Sequence, residues 1–335
     1  MTTSRGPFRT LGGLALACVV LSLAPLSAWA ATTASAATAA AATHAGAPAH
    51  GLEANANNAS TDEAEALVQK IKAGALQAMS DEQLIKTFSQ LAPQTYSAYL
   101  DVGLRQLNEY ELWMKREERL GGTWAGQPFV NYIKYRHKPR QVYMKWLKDS
   151  PKSGQEIIYD ETKRKDASYG HLGGLFNITS MWSAIDGSMA KSNSNHTVRD
   201  LGMQSVVAIL VDSHKMRIKE GQPTAPNQIE VAKVNGERTI ALTWMTPAGM
   251  TGAYAAKSRV YVNLQLPWVR MIESWNERGE MIERISFDKV VPATFTPQGN
   301  TGVFDGSLAI RRGDFSIGEG PWAAFDIVAN DIQIK

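Results

Sequence analysis

Two residues of this sequence have the types and spacing that proton-transfer chemistry requires. His196 and Asp200 lie four residues apart at the start of a predicted helix, where an imidazole and a carboxylate can touch. Such a pair could act as a general acid and base. The same spacing is also typical of a carboxylate that caps the helix and has no chemical role, and we favour this interpretation.

Other signals of catalysis are weak. The adjacent acids Glu117-Glu118 and Asp160-Glu161 fall in or beside predicted strands, where neighbours point to opposite faces, so neither pair can share a substrate proton. The sequence contains no Gly-x-Ser-x-Gly nucleophile motif, no His-Glu-x-x-His zinc helix and no phosphate-binding loop. We therefore predict no catalytic residues, no metal ligands and no cofactor.

Large apolar side chains are a stronger signal. The chain has nine tryptophans and twelve methionines, and methionine adapts to ligands of varied shape. Several lie at alternating positions of predicted strands and could form the wall of an apolar cleft. These candidate ligand-binding residues are Met144, Trp146, Trp244, Val262, Leu264 and Trp275. The alternative is that they simply fill a core.

A short basic stripe could bind an anionic head group of such a ligand. Lys134, Arg136, Lys138 and Arg140 alternate along the chain, and we select Arg136, Lys138 and Arg140 as the possible head-group contacts. The alternative is a solvated sheet face without a ligand. In addition, Pro139 would interrupt any single strand that carried the whole stripe.

The elements that must position these residues are helices followed by many strands. Apolar spacing predicts three helices between residues 60 and 108, and one more over residues 198–219. Elsewhere apolar residues occur at every second position, as at Val142, Met144 and Trp146, which is typical of strands. The dipeptide Asn235-Gly236 predicts a tight hairpin. About nine or ten strands joined by short turns indicate an antiparallel sheet that so few helices cannot fully cover.

Composition and charge narrow the classes of function. The chain has 335 residues, of which 44% are hydrophobic and 20% charged, as in ordinary globular proteins. A formal charge of +3 gives no reason to expect a nucleic-acid partner. The single cysteine, Cys18, cannot form an internal disulfide.

Residues 1–30 have the pattern of a secretory signal peptide. Arg5 and Arg9 precede an uncharged apolar run, Leu11 to Leu23, and Ala28-Trp29-Ala30 forms a cleavage site. The run is shorter than the roughly 20 residues of a membrane span. We expect cleavage after Ala30, a periplasmic location and no integral membrane segment in the mature chain. An uncleaved anchor and a lipoprotein signal ending at Cys18 are the alternatives.

Longer stretches resemble a known family. The segments are Tyr135-Arg136-His137-Lys138-Pro139 with Val142 to Trp146, then Gly154 to Tyr159, His196 to Gly202, and Pro292 to Pro297. Together they resemble the exported bacterial domain of unknown function DUF1571. The last hairpin is similar in layout to lipoprotein-localisation (LolA-like) carriers. This resemblance implies a mainly β (α+β) fold, a strongly curved antiparallel half-barrel sheet with helices packed in its mouth. It supplies no catalytic residues.

These observations divide the chain into five parts. We predict a signal peptide over residues 1–30, a flexible low-complexity tether over 31–58 and a helical extension over 59–92. A carrier-like sheet domain follows over 93–305, and a C-terminal extension with short strands over 306–335.

Three functions remain open from the sequence. We favour non-covalent binding of a lipid, a lipoprotein acyl chain or a similar amphiphile in an apolar cleft. The first alternative is an envelope protein-interaction or sensory module on the same scaffold, with a protein partner. The second is a hydrolase that acts on a cell-envelope substrate. A filled core would favour the interaction module, and a cleft with a converging histidine and carboxylate would favour the hydrolase.

Overall fold

A computed structural model describes residues 58–105, 107–173, 180–250, 252–292, 295–296 and 299–300. All of them belong to the unit His44–Lys335. The predicted signal peptide, nearly all of the tether and the C-terminal extension lie outside these residues. No helix in the described part of the chain is long and apolar enough to cross a membrane.

Five α-helices form within the described residues, and two of them begin at positions that differ from the predictions. Their bounds are α1 Asn58–Lys72, α2 Asp81–Ser89, α3 Thr95–Leu104, α4 Ser188–Lys191 and α5 Met203–Lys219. Helix α1 begins at Asn58, two residues before the predicted start at residue 60, whereas Ser80 caps α2 by accepting a hydrogen bond from the Gln83 amide at 3.3 Å. The helix predicted to start at Val198 is divided into a 3-10 turn, Val198–Asp200, and α5, which begins after Gly202.

The remaining chain is mostly strand. The bounds are β1 Glu109–Leu120, β2 Thr123–Trp124, β3 Phe129–Arg136, β4 Gln141–Trp146, β5 Glu156–Asp160, β6 Ala167–His171, β7 Ser180–Ala184, β8 Gln228–Val234, β9 Glu237–Met245, β10 Lys257–Asn263, β11 Val269–Trp275, β12 Met281–Pro292, β13 Phe295–Thr296 and β14 Gly299–Asn300. Strands β8 and β9 meet at Asn235-Gly236, which confirms the predicted hairpin.

Twelve strands form one open antiparallel sheet. Its order is β7-β6-β5-β4-β3-β1-β12-β11-β10-β9-β8, with β2 paired to β1. Two meanders, β3–β7 and β8–β12, therefore flank β1, and β1 pairs with β12 at the middle of the sheet. The predicted fold class, a mainly β half-barrel with an antiparallel sheet that does not close, is confirmed.

The two faces of the sheet differ. One face, here called the inner face, carries Leu112, Ile133 and Val260, which join the helices in one continuous apolar core. Helix α3 contacts both α1 and α5, and the phenol of Tyr110 accepts a hydrogen bond from the Met203 amide at the start of α5. The opposite, outer face carries ion pairs such as Arg284 with Glu273 at 2.8 Å. The alternation of the strands thus separates a helix-covered side from a charged side.

Candidate functional site

An apolar cleft lies on the inner face where β4, β5, β6 and β7 approach the edge of the sheet. Residues 185–201, here called the covering segment, contribute one side of it. The main apolar lining residues are Met144, Trp146, Ile157, Met181, Met189 and Leu201. The cavity volume is about 110 Å³. One water needs roughly 10–15 Å³ by this measure, so the cleft holds several waters or an aliphatic chain of modest length.

The mouth of the cleft is marked by exposed apolar side chains. Leu172, Met181 and Met189 are 41%, 47% and 48% exposed, and all three border the cleft. Strand β7, which carries Met181, is an edge strand of the sheet. Exposed apolar side chains grouped around a cavity are typical of binding surfaces rather than of a sealed core.

Four charged side chains form a buried cluster at the other end of the cleft. Strand β1 supplies Arg116 and Glu118, β12 supplies Glu283, and the covering segment supplies His196. Imidazole Nε2 of His196 lies 2.7 Å from Glu283 Oε2, and Arg116 Nε lies 2.8 Å from Glu118 Oε2. Both Arg116 and His196 line the cleft. The cleft is therefore apolar along most of its length and charged at one end.

Neighbouring polar groups hold the two carboxylates of this cluster in place. Ser274 donates to Glu283 Oε1 at 2.8 Å, and the Tyr254 phenol donates to Glu283 Oε2 at 2.8 Å. Ser194 and the Asn195 amide donate to Glu118 Oε1 at 3.2 and 3.0 Å. Since Ser194 and Asn195 belong to the covering segment, these bonds also fasten that segment to the sheet.

The cluster changes the acidity of its members. Burial disfavours the charged form of His196, but the adjacent Glu283 carboxylate outweighs it and, with Glu118 and Asp200, raises the pKa of His196 to about 9. Burial alone would raise the pKa of Glu283, yet the charge and hydrogen bond of His196 lower it. His196 is therefore an imidazolium at neutral pH and a poor general base.

Glu118, His196 and Glu283 also have donor atoms within 4.8 Å of one another, as metal ligands do. The Arg116 guanidinium already contacts Glu118, and His196 already contacts Glu283. A cation entering here would have to displace a proton from His196 and tolerate Arg116. The donor set therefore suits a charge-balanced ionic cluster better than a metal centre.

The predicted wall residues fall into three places. Met144 and Trp146 line the cleft. Trp244, Val262 and Leu264 are buried in the core at the other half of the sheet, where the Trp244 ring contacts Tyr96 and His214. Trp275 lies on the outer face, because it pairs with Lys257 and its ring lies 4.0 Å from the Lys257 ammonium. The structure thus brings together only the first two.

The predicted head-group residues do not converge either. Arg136 is buried on the outer face, where it contacts Glu109 at 2.7 Å and Gln141 at 2.8 Å. Lys138 is exposed in the turn after β3. Arg140 donates to the Arg199 carbonyl at 2.9 Å. The alternating stripe ends because residues 137–140 form a turn, so the strand period no longer applies there.

Sequence reasoning missed most of the charged cluster. Asp200 accepts hydrogen bonds from the amide and hydroxyl of Thr197, which confirms capping for that carboxylate. His196 instead contacts Glu283, far along the chain. Glu117 and Glu118 do point to opposite faces as predicted, but Glu118 is fully buried rather than solvated. The available signal was the inward register of β1, which places Arg116 and Glu118 in line with Leu112 and Met114.

The chain has remote structural likenesses. An uncharacterised conserved protein from Thermus thermophilus shares 11% identity over 59% of this chain and 86% of its own, with a TM-score of 0.33. A chain of the Pseudomonas aeruginosa MucA/MucB complex shares 12% sequence identity over 59% of this chain and 56% of its own length, with a TM-score of 0.32. A LolA superfamily protein from Nitrosomonas europaea shares 7% sequence identity over 69% of this chain and 95% of its own length, with a TM-score of 0.22.

Sequence comparison is more specific. A search of curated proteins finds no significant match. A family model described as a protein of unknown function, DUF1571, matches residues 107–299, which is more than half of the chain. The match begins just before β1 and ends at β14, so it includes the whole twelve-stranded sheet and the charged cluster. The resemblance predicted from the sequence is confirmed, and the chain belongs to the DUF1571 family.

Proposed function

We propose that this protein binds a hydrophobic or amphiphilic molecule non-covalently in the cleft between β4–β7 and the covering segment. The observation that carries the proposal is a cleft whose floor is apolar, through Met144 and Trp146, and whose mouth is lined by exposed methionines. Methionine accommodates varied apolar shapes at little cost. A site that takes up lipid or acyl chains by burial alone needs these properties and no nucleophile.

A matched pair of methionine substitutions tests this proposal. Met181 at the mouth is 47% exposed, and Met245, at the end of β9 and outside the cleft lining, is 48% exposed. We expect Met181→Asp to weaken binding of a ten-carbon aliphatic probe at least tenfold, because it introduces a charge into the apolar mouth. Met245→Asp should leave the affinity within twofold of the wild type.

Titration calorimetry, with circular dichroism to verify folding, provides the measurement. Lipid extracted from protein isolated from its native envelope and identified by mass spectrometry would name the ligand class. The absence of saturable binding in the wild-type protein, or equal loss in both folded variants, would overturn the proposal.

A second candidate is an envelope protein-interaction module. It is favoured by β7, whose outer edge pairs with no other strand among the described residues and therefore offers unpaired backbone groups to a partner. A hydrolase is less well supported, although a histidine and a carboxylate do converge at the cleft. The raised pKa of His196 removes the free imidazole that a general base needs near neutral pH.

We further propose that the protein is exported to the periplasm and cleaved after Ala30. The support is the signal-peptide pattern of residues 1–30. The intact mass of protein recovered from the periplasm should correspond to a chain beginning at Ala31. A mass that includes residues 1–30, or acyl groups on Cys18, would contradict this.

A further inference from the structure

The charged end of the cleft contains a buried guanidinium with unused donors. Arg116 is 3% exposed, and its only ion pair within the described part of the chain joins Nε to Glu118. Its Cζ atom lies 5.8 Å from the centre of the Phe129 ring. Nη1 and Nη2 donate a hydrogen bond to no described residue, although the side chain lines the cleft. Nε of Arg116 is thus paired with Glu118, whereas Nη1 and Nη2 have no partner among the described residues.

Nε of Arg116 lies 2.8 Å from Glu118 Oε2 but forms no well-aligned hydrogen bond with it, so the guanidinium as a whole is poorly satisfied for a buried side chain. A guanidinium has five N–H groups in a planar fork, and a buried donor without an acceptor destabilises the fold. Most buried polar groups therefore have a partner. The cleft lining is mostly apolar, and its polar residues, such as Ser168 and Ser194, form no hydrogen bond with Nη1 or Nη2. A ligand that brings two oxygen acceptors into the cleft would complete this site.

The charges around Arg116 restrict the ligand further. Arg116 and the protonated His196 are balanced by Glu118 and Glu283, so the cluster is neutral without a ligand. Nδ1 of His196 forms no hydrogen bond with a described residue and is a second available donor at the cleft wall. A monoanion adds one negative charge between two cations, whereas a dianion would add two beside existing carboxylates. Planar carboxylate also matches the guanidinium fork.

We infer that the cleft binds an aliphatic carboxylate, with its head group on Nη1 and Nη2 of Arg116 and its chain along Met144 and Trp146. This inference rests on the proposed function, since it names the chemical class of the molecule bound there. It also replaces the head-group residues predicted from the sequence, because Arg116 lies in the cleft and Arg136 does not.

The experiment compares three ten-carbon probes: decanoate, decanol and decyl phosphate. Wild-type protein should bind decanoate at least tenfold more tightly than decanol or decyl phosphate. Arg116→Lys keeps the charge beside Glu118 but removes the planar fork, so decanoate affinity should fall at least tenfold while decanol affinity changes by less than twofold. Arg259→Lys, at an ion-paired arginine on the outer face, should change neither.

A second variant distinguishes loss of the head-group site from misfolding of the protein. The double substitution Arg116→Met with Glu118→Gln removes both charges of the pair and leaves no buried carboxylate unpaired. It should lose the preference for decanoate and keep decanol binding. If decanol binds the wild type as tightly as decanoate, the carboxylate site is wrong and the apolar cleft stands. Tighter binding of decyl phosphate overturns the carboxylate assignment. If no probe binds, both the head-group site and the proposed function fail.

Discussion

Strand β1 shows how residue identity and register together create a charged end in an apolar cleft. Its inward positions change from Leu112 and Met114 to Arg116 and Glu118 within two pleats. A charged residue at an inward position is costly unless it is paired. Arg116 and Glu118 meet this requirement by contacting each other, and His196 and Glu283 do the same one strand away.

The ionic pair of His196 and Glu283 predicts a pH-dependent stability. The pKa of His196 is about 9 in the folded chain against about 6.5 when unfolded, so its contribution is complete below pH 6.5 and is lost as the pH rises through 9. The groups facing it are Glu283, Glu118, Asp200 and Tyr254, with Arg116 beyond. The contribution is on the order of 3 kcal/mol.

Urea unfolding between pH 6 and pH 9.5 measures this effect. Wild-type protein should lose that free energy of unfolding across the range relative to His196→Gln, whose side chain does not titrate. A difference between the two proteins that stays constant with pH would contradict the assigned pKa. The comparison with the variant removes contributions from titrating groups distant from His196, which both proteins share.

At the scale of elements, the start of α5 depends on one glycine. Gly202 has a φ of +102°, and a Cβ there would lie 2.6 Å from two Tyr135 ring carbons and 2.8 Å from the Tyr110 hydroxyl. We expect Gly202→Ala to destabilise the fold by about 4 kcal/mol or more, since both tyrosines are fully buried. The clash would push α5 away from β1 and β3.

Gly279→Ala is the matched control for this prediction. Gly279 has a φ of +75°, but nothing lies within 4 Å of a Cβ at that position. It should cost only the backbone strain of a non-glycine residue, about 1–2 kcal/mol. Chemical denaturation of the two variants provides the comparison. Equal losses would show that the close contact with Tyr110 and Tyr135 does not matter.

The elements were more predictable than their arrangement. The alternation of apolar and polar residues correctly indicated β4 and placed Met144 and Trp146 inward, because a strand with one buried face has apolar side chains at every second position. Trp275, also predicted to lie on an apolar strand face, is instead on the outer face, because Ile272 and Ser274 occupy the inward positions of β11. The contact of His196 with Glu283 was not predictable, since no local pattern reveals which distant strands become neighbours.

At the scale of the whole molecule, stability should decrease from the middle of the sheet towards both of its edges. Strands β1 and β12 are paired on both sides, whereas β7 and β8 are edge strands that each contain two exposed residues. We expect the slowest amide hydrogen exchange in β1 and β12 and the fastest strand exchange in β7 and β8. Exchange measured by mass spectrometry also tests the site.

Addition of decanoate should slow exchange in β6, β7 and α4, which border the cleft, and leave β8 to β10 unchanged. A uniform change across the sheet would instead indicate general stabilisation by a ligand bound elsewhere. Protection limited to β8 to β10 would locate the ligand in the other half of the molecule and would contradict the proposed cleft.

The pairing of β1 with β12 has a consequence for biosynthesis. A ribosome makes β1 first among the strands, yet its partner on one side is not synthesised until residues 281–292. Contacts between such distant segments form late and slowly. A chain still emerging from the ribosome therefore lacks the centre of its sheet. For a protein that we propose to be exported, this order keeps the nascent polypeptide open enough to be threaded through a translocation channel before it folds.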